Sequence, residues 1–440
     1  MRRLFLGLLL ALGLPMGAAA YTYNATLAKS VKGEYGGKAD SLAQVLIGQF
    51  MNTQKGTFWS TPKDKDKSST YIYWQQAHAM DVLVYAYERH ANDTVNKTLA
   101  SRYKTYMRQW YKNHANNYSG GATGFENPFT DDMCWICLTL LHMTEAMGVE
   151  MYATTARRVF DNAIMTRATE DESGLWLPWN TDQGSQPNAC TLGPACLIAA
   201  KLYEKYGTEK YLEYAEKFYT YMQKHIVKSD GRVEEPPLTY TQGTFAEACR
   251  RLYHITKKSI YRRNAQTYIE YVFTSGRCTN GKNILRDEGP SMDQSLFKAV
   301  LIPYAVNYVL DDDMSLTSRL KMCKYIQLNA NTLWKSLDQD SYPAMFCPCD
   351  WTKPFDTSTT ASMGAMASGA SLMENCARMC QVLTTQPDVP EAIEAPEASG
   401  QTEHRGIYSL SGQQLGTDSK QKNRLPAGCY VIDGHKEMVR

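Results

Sequence analysis

Asp131 and Asp132 stand side by side in the run Gly124-Phe-Glu-Asn-Pro-Phe-Thr-Asp-Asp-Met-Cys-Trp-Ile-Cys-Leu-Thr-Leu-Leu141. Two adjacent carboxyl groups repel one another, so their protonation states split and one can be an acid while the other stays anionic. Hydrolysis of a glycosidic bond asks for that division of labour: one carboxyl protonates the leaving oxygen and one carboxylate attacks the sugar carbon. An Asp-Asp pair alone is commonly a solvated helix start that complements the helix dipole. The company this pair keeps along the chain sets it apart.

A polar or small cluster recurs before a run of small and apolar residues. The clusters are Trp74-Gln75-Gln76-Ala-His78-Ala-Met-Asp81, Asp131-Asp132, Asn188-Ala-Cys-Thr, Tyr240-Thr-Gln242-Gly243-Thr244, Met292-Asp293-Gln294-Ser295 and Ser358-Thr-Thr-Ala-Ser-Met-Gly364. Counted from Gln76, Asp131, Asn188, Gln242, Asp293 and Thr360, the steps are 55, 57, 54, 51 and 67 residues. The runs that follow, such as Leu192 to Leu202, are apolar nearly all round and predict buried helices. Wetter helices follow most of them: Gly207, Tyr211 and Ala215 share a spacing with Gly148, Tyr152 and Ala156, and Tyr261 and Ala265 repeat part of it. Repeats of this length predict an array of helix pairs, either closed into a ring or open as a solenoid. In a ring the starts of the inner helices converge at one end, which would collect Gln76, His78, Asp131, Asp132, Asn188, Tyr240, Gln242, Asp293 and Gln294 beside unpaired helix amides.

Residues 1–20 read as a secretory leader, with Arg2-Arg3, an apolar run from Leu4 to Leu14 and Ala18-Ala19-Ala20 before Tyr21. Export to the periplasm, cell surface or medium is therefore expected, with no integral membrane span. Without Arg2 and Arg3 the chain holds 45 basic and 45 acidic side chains, a balance that excludes a nucleic-acid footprint and points to an uncharged partner. Cys134 and Cys137 read as core filling within a helix rather than as a redox pair. Cys347-Pro-Cys349 reads as a loop disulfide or free thiols, and no metal or other cofactor is expected. The catalytic domain is assigned to 21–385, a Pro/Glu/Ala-rich linker to 386–400 and a short tail with two or three strands to 401–440.

These motifs resemble glycoside hydrolase family 76, the bacterial endo-α-1,6-mannanases, over roughly residues 40 to 380. The resemblance rests on Tyr71-Ile-Tyr-Trp-Gln-Gln-Ala-His-Ala-Met-Asp-Val-Leu-Val84, Asp131-Asp132 with Trp135, Asn188-Ala-Cys-Thr-Leu-Gly-Pro194, Leu238-Thr-Tyr-Thr-Gln-Gly-Thr-Phe245, Asp293-Gln-Ser-Leu-Phe-Lys298 and Ser362-Met-Gly-Ala-Met-Ala-Ser-Gly-Ala-Ser371. It implies an all-α fold, an (α/α)6 barrel of six helix pairs, and hydrolysis of α-1,6-linked mannan with retained configuration. Asp131 would be the nucleophile and Asp132 the general acid and then base. Thr130, Cys134, Cys137 and Thr241 depart from the family pattern. The tail is similar to C-terminal sorting segments of secreted Bacteroidetes proteins.

A neutral, polyhydroxylated substrate is met by flat apolar surfaces and by amide, carboxylate and hydroxyl partners. Trp176, Trp179 and Tyr240 are candidate platforms, and Trp135 leans towards core. Asn188, Gln242 and Asp293 are candidate hydrogen-bonding partners whose alternative is helix capping. Gln76 joins them, and His78 either meets substrate, tunes the pair or is a satisfied core histidine. Asp311-Asp312-Asp313 and Asp338-Gln-Asp340 read as solvated turns. A monomer is expected. The alternatives to hydrolysis are a mannan transglycosylase and a non-catalytic glycan-binding protein; a lyase acting on an acidic polymer does not suit the neutral charge balance.

Overall fold

The polar clusters open helices in the computed structural model of the chain, which describes residues 23–65, 72–91, 97–117, 125–385, 406–409, 414–417, 419–432 and 435–439. The expected leader at 1–20 and linker at 386–400 lie outside the described residues. Short helix α1 (Ala25–Ser30) precedes α2 (Gly36–Phe50), and six helices then form an inner ring. These are α3 (Trp74–Ala91), α5 (Thr130–Met147), α7 (Ala189–Tyr206), α9 (Thr239–Thr256), α11 (Met292–Leu310) and α13 (Met363–Thr384). Each packs on the next and α13 packs on α3, so the array closes as an (α/α)6 barrel rather than an open solenoid. The outer partners are α4 (Lys97–Asn117), α6 (Glu150–Val159), α8 (Glu209–Tyr221), α10 (Ser259–Thr274) and α12 (Leu316–Ser336). The outer partner of α13 is α2, from the other end of the domain.

The repeated turn between inner and outer helices has a backbone cause. α5, α7 and α9 end on Gly148, Gly207 and Lys257, all in the left-handed region, and each donates its N–H to the carbonyl four residues back. This single αL bond is a standard helix stop, which Gly adopts without a Cβ penalty. One turn later, Tyr152, Tyr211 and Tyr261 are buried, followed by Ala156, Ala215 and Ala265. Small residues let the inner helices close in: a Cβ on Gly364 would lie 2.3 Å from Ser295 Oγ, and one on Gly243 2.9 Å from Leu301 Cα.

Polar side chains bridge every seam of the inner ring. His142 bonds Asp81 at 3.1 Å across α5 and α3, and Lys201 bonds Glu145 at 2.8 Å across α7 and α5. Arg251 reaches Glu204 at 2.7 Å between α9 and α7, and Arg250 reaches Asp311 at 2.6 Å between α9 and the end of α11. Arg378 bonds Asn307 at 2.9 Å, and Arg89 bonds Glu374 at 2.5 Å to close the circle from α13 to α3. Asp311 is therefore no solvated turn: it is buried and accepts from both Arg250 and His254. All six bridges lie past the first turns of the inner helices.

Hairpins β1 (Met51–Asn52) with β2 (Thr57–Phe58) and β3 (Thr169–Asp171) with β4 (Gly174–Trp176) sit in the loops. All twelve cysteines are free thiols, and Cys134 and Cys137 are buried in the core of α5. Among the described residues no helix is long and apolar enough to cross a membrane. The chain divides into two units at Thr385 and Gln386. In the second, β5 (Ile407–Ser409), β6 (Gln414–Gly416), β7 (Gly428–Ile432) and β8 (His435–Val439) form an antiparallel sheet in the order β6-β5-β7-β8. The sheet has four strands where two or three are expected.

Candidate active site

The aspartate pair sits in the first turn of α5, but neither residue is its cap. Phe129 occupies the cap position and offers no capping side chain, and the first-turn amides of Asp131 and Asp132 act on the Asp131 carboxyl. The entering loop is fixed by Arg167, whose guanidinium donates to the carbonyls of Pro128 (2.8 Å) and Asn127 (2.7 Å) and to the Thr130 hydroxyl (3.2 Å). The Thr130 N–H donates to the Trp179 carbonyl at 2.8 Å, tying the loop before α7 to the start of α5. Asn127 is buried, and its amide has a fixed sense: Oδ1 accepts from Phe129 N at 2.8 Å while Nδ2 donates to Asp132 Oδ2 at 2.7 Å.

The two carboxyls have different surroundings. Burial raises Asp131 to about 6, opposed by the Cys190 thiol at 3.4 Å from Oδ2, by the Trp179 indole and by nearby backbone amides. The indole lies near enough to favour the anion without meeting hydrogen-bond geometry, so Asp131 Oδ1 is buried without a partner. Asp132 rises further, to about 8, through burial and then the charge of Asp131; the Asn127 amide pulls it down and Asp293 pushes it up. Near neutral pH the favoured arrangement is an anionic Asp131 beside a protonated Asp132.

Aromatic rings build the floor. Tyr240 stacks on Phe297 with centroids 4.2 Å apart, and Trp74 packs on the same Phe297 at 6.4 Å. Trp135, fully buried beneath, meets Trp74, His78 and Tyr240. Asp293 is exposed at the start of α11, and its Oδ1 accepts from Trp74 Nε1 (3.0 Å) and Gln75 Nε2 (2.5 Å). Phe129 and Trp179, 38% and 42% exposed, pack together at 5.3 Å on the rim. His78 is buried below Trp74 and Trp135, with Nδ1 3.7 Å from Asp81 and Nε2 unpartnered; burial lowers its pKa and keeps it neutral. Acid, anion and an aromatic-lined mouth can cleave and hold an uncharged sugar polymer.

Residues 37–385 match the model of glycosyl hydrolase family 76. The chain belongs to this family. Comparison with the curated proteins gave no match. Among solved structures of family 76 enzymes, the α-1,6-mannanase GH76A of Salegentibacter sp. HEL1_6 is 25% identical, with a TM-score of 0.68 over 79% of this chain and 100% of that one. An inactive variant of that enzyme, altered at two consecutive aspartates and in complex with α-1,6-mannotetrose, aligns at 24% identity with the same TM-score and coverage. A family 76 mannosidase from Bacteroides thetaiotaomicron aligns at 17% identity with a TM-score of 0.60, over 82% of this chain and 99% of that one. The chain is thus a glycoside hydrolase.

Not every residue expected at the site of this family 76 enzyme is brought there. Gln76 is buried and clamps β2, accepting from Phe58 N at 2.8 Å and donating to Phe58 O at 2.8 Å. Gln242 is buried likewise, accepting from Val233 N and donating to the carbonyls of Gly231 and Tyr268 at 3.2 Å. Both amides are fully engaged with backbone, which leaves neither a group for substrate; this corrects the expectation for both. Asn188 caps α7 through Thr191 N at 3.0 Å and also borders the Cys190 thiol at 3.2 Å. Trp176 donates to Asp171 at 3.0 Å within its own hairpin. The residues not anticipated are Asn127, Trp74, Phe297, Phe129 and Cys190. Trp74 and Cys190 stand inside the polar clusters, and Asn127-Pro128 is separated from the pair by Phe129 and Thr130.

Proposed function

We propose that this family 76 enzyme is an endo-acting α-1,6-mannanase that retains anomeric configuration. The observation that carries the reading is the divided pair: two neighbouring carboxyls, one favoured as anion and one as acid, among aromatic rings at the mouth of the barrel. Neighbours on one helical turn suit the roughly 5–5.5 Å separation of retaining enzymes better than the wider gap that a water molecule needs. The solved α-1,6-mannanase complexes on the same fold support the linkage.

In the first displacement Asp131 forms a bond to the anomeric carbon as its bond to the leaving 6-oxygen breaks, and the Asp132 proton passes to that oxygen. In the second, water bonds to the anomeric carbon, its proton goes to Asp132 and the Asp131 ester bond breaks. Tyr240, Trp74 and Trp179 offer platforms to sugar faces, and Asp293 offers an acceptor to hydroxyls. A leader at 1–20 would bring the enzyme to extracellular polymer; N-terminal sequencing of the exported protein checks it.

The test incubates wild type, Asp131→Asn and Asp132→Asn with linear α-1,6-mannan and follows products by chromatography. Short oligosaccharides from wild type alone support the proposal. Products longer than an oligomer supplied would assign transglycosylation, and binding without turnover would sink the substrate assignment.

A further inference from the structure

Resting on that reading, we propose that the Cys190 thiol is the positioning donor of the nucleophile Asp131. It donates to this carboxylate from Sγ to Oδ2 at 3.4 Å, while the Trp179 indole favours the same anion from farther out. Asp132 is held differently, by a short amide bond from Asn127. The two carboxyls therefore receive donors of unequal strength, an amide for the acid and a thiol for the nucleophile.

The thiol hydrogen has a second candidate acceptor, Asn188 Oδ1 at 3.2 Å. That oxygen already accepts from Thr191 N and is neutral, so the Asp131 anion is the better acceptor. Cys190 stays protonated, because burial and then the Asp131 charge raise its pKa well above the usual thiol value. A thiol is a weak donor. It fixes the orientation of Oδ2 while adding little to the stabilisation that the Trp179 indole and the first-turn amides give the anion, and Oδ1 is buried with no hydrogen bond of its own. The nucleophile is thereby held in place and kept reactive.

The other groups that face this contact come from five parts of the chain. Asp132 lies on the same helix, with buried Cys134 below it. Glu234, a half-buried residue at φ +74°, and the Tyr240 hydroxyl face the thiol from before and within α9. Trp179 approaches from the loop before α7, and Arg167 and Cys134 interact beneath the turn. Asp293 acts on Asp132 from α11. Of these, the Tyr240 hydroxyl touches the thiol itself and Glu234 accepts from the neighbouring Ala189 N–H, so Cys190→Ser, which keeps a donor at the position, is the control for Cys190→Ala.

Two measurements test the role. Cys190→Ala should raise the acid-side midpoint of kcat/KM by about half a pH unit and lower kcat about threefold with KM within about twofold, because a donor to the charged form is lost. Cys190→Ser, with a stronger donor, should move that midpoint the other way. The second measurement needs no mannan: peptide-level mass spectrometry follows iodoacetamide labelling of Cys190 in wild type and Asp131→Asn. Loss of the neighbouring anion should speed labelling about tenfold at a fixed pH. Unchanged acid limbs in both Cys190 variants, or a labelling rate indifferent to Asp131, would overturn the proposal. An enzyme inactive on mannan would remove the substrate reading, while the labelling result would still decide the contact.

Discussion

Asn127 Nδ2 lies 2.7 Å from Asp132 Oδ2, so the more weakly acidic carboxyl of the pair is oriented by a buried amide that the preceding loop contributes. The Phe129 N–H on Oδ1 sets the sense of that amide, and Arg167 holds the Asn127 carbonyl. The acid is thus aimed by a chain of contacts that begins outside α5.

Asn127→Ala should lower kcat by about 10- to 100-fold, the usual cost of a misplaced reacting group. The amide bond favours the charged form of Asp132, so its loss should also move the alkaline limb of activity upward. A pH–rate series on the purified variant reads both effects; a limb that stays put while kcat falls would assign Asn127 to loop packing alone.

For wild type, kcat/KM against pH should be bell-shaped, because the reaction needs Asp131 ionised and Asp132 protonated. Activity should rise as Asp131 loses its proton near pH 6 and fall as Asp132 loses its own near pH 8. A profile still climbing at pH 9 would be incompatible with Asp132 as the acid.

The same shift predicts a gain in stability on inactivation. Asp132 binds its proton more tightly in the folded enzyme than in the unfolded chain. Its contribution to stability is full below the ordinary carboxyl range and is lost as pH climbs through about 8. Asp132→Asn removes that loss, so its Tm should exceed that of wild type by about 2–4 °C at alkaline pH, with the gap closing near pH 4. Thermal unfolding at several pH values measures it.

Asp293→Ala should raise KM for manno-oligosaccharides and free the Trp74 indole to turn, since it removes the acceptor for both Trp74 and Gln75. A KM increase of about tenfold corresponds to one lost hydrogen bond to a charged group. Titration calorimetry with Asp131→Asn protein would separate binding from turnover.

Arg250→Ala should be the most destabilising of these changes. Arg250 pairs with buried Glu247 and Asp311, and removing one partner of a buried pair costs about 3–5 kcal/mol. Urea unfolding should register that loss. Gln242→Ala should cost about 1–3 kcal/mol for unsatisfied buried groups, with KM unchanged.

Much of the architecture could be read from the order of residues. The spaced clusters do open the inner helices, and Gly148 and Gly207 do end them, because a left-handed stop leaves a compositional trace. The direction of a side chain within a first turn leaves none. Gln76 follows Trp74 by two residues and Gln242 follows Tyr240 by two, about 200° round the helix. Each aromatic faces the mouth while each glutamine faces away, onto β2 or the loop before α9. The seam bridges were equally hidden, since Arg250 and Asp311 are 61 residues apart and each alone looks like a surface charge. Asn127 acts through a local contact onto the first turn of α5 and Cys190 through one between α7 and α5, and neither side-chain direction leaves a pattern in the sequence.

That closure joins the two ends of the catalytic domain, because α13 packs between α2 and α3. During synthesis the chain is extended from its N-terminus, so the last seam waits for the last helix. Until α13 emerges, α2 and α3 present apolar faces with nothing to cover them, and Arg89 lacks Glu374. The mouth that holds Asp131 is therefore completed late, after most of the wall is in place. Because the first and last helices already lie against each other, a permuted gene could start at one of the exposed inner-to-outer turns. Such a chain would build the same wall in a different order.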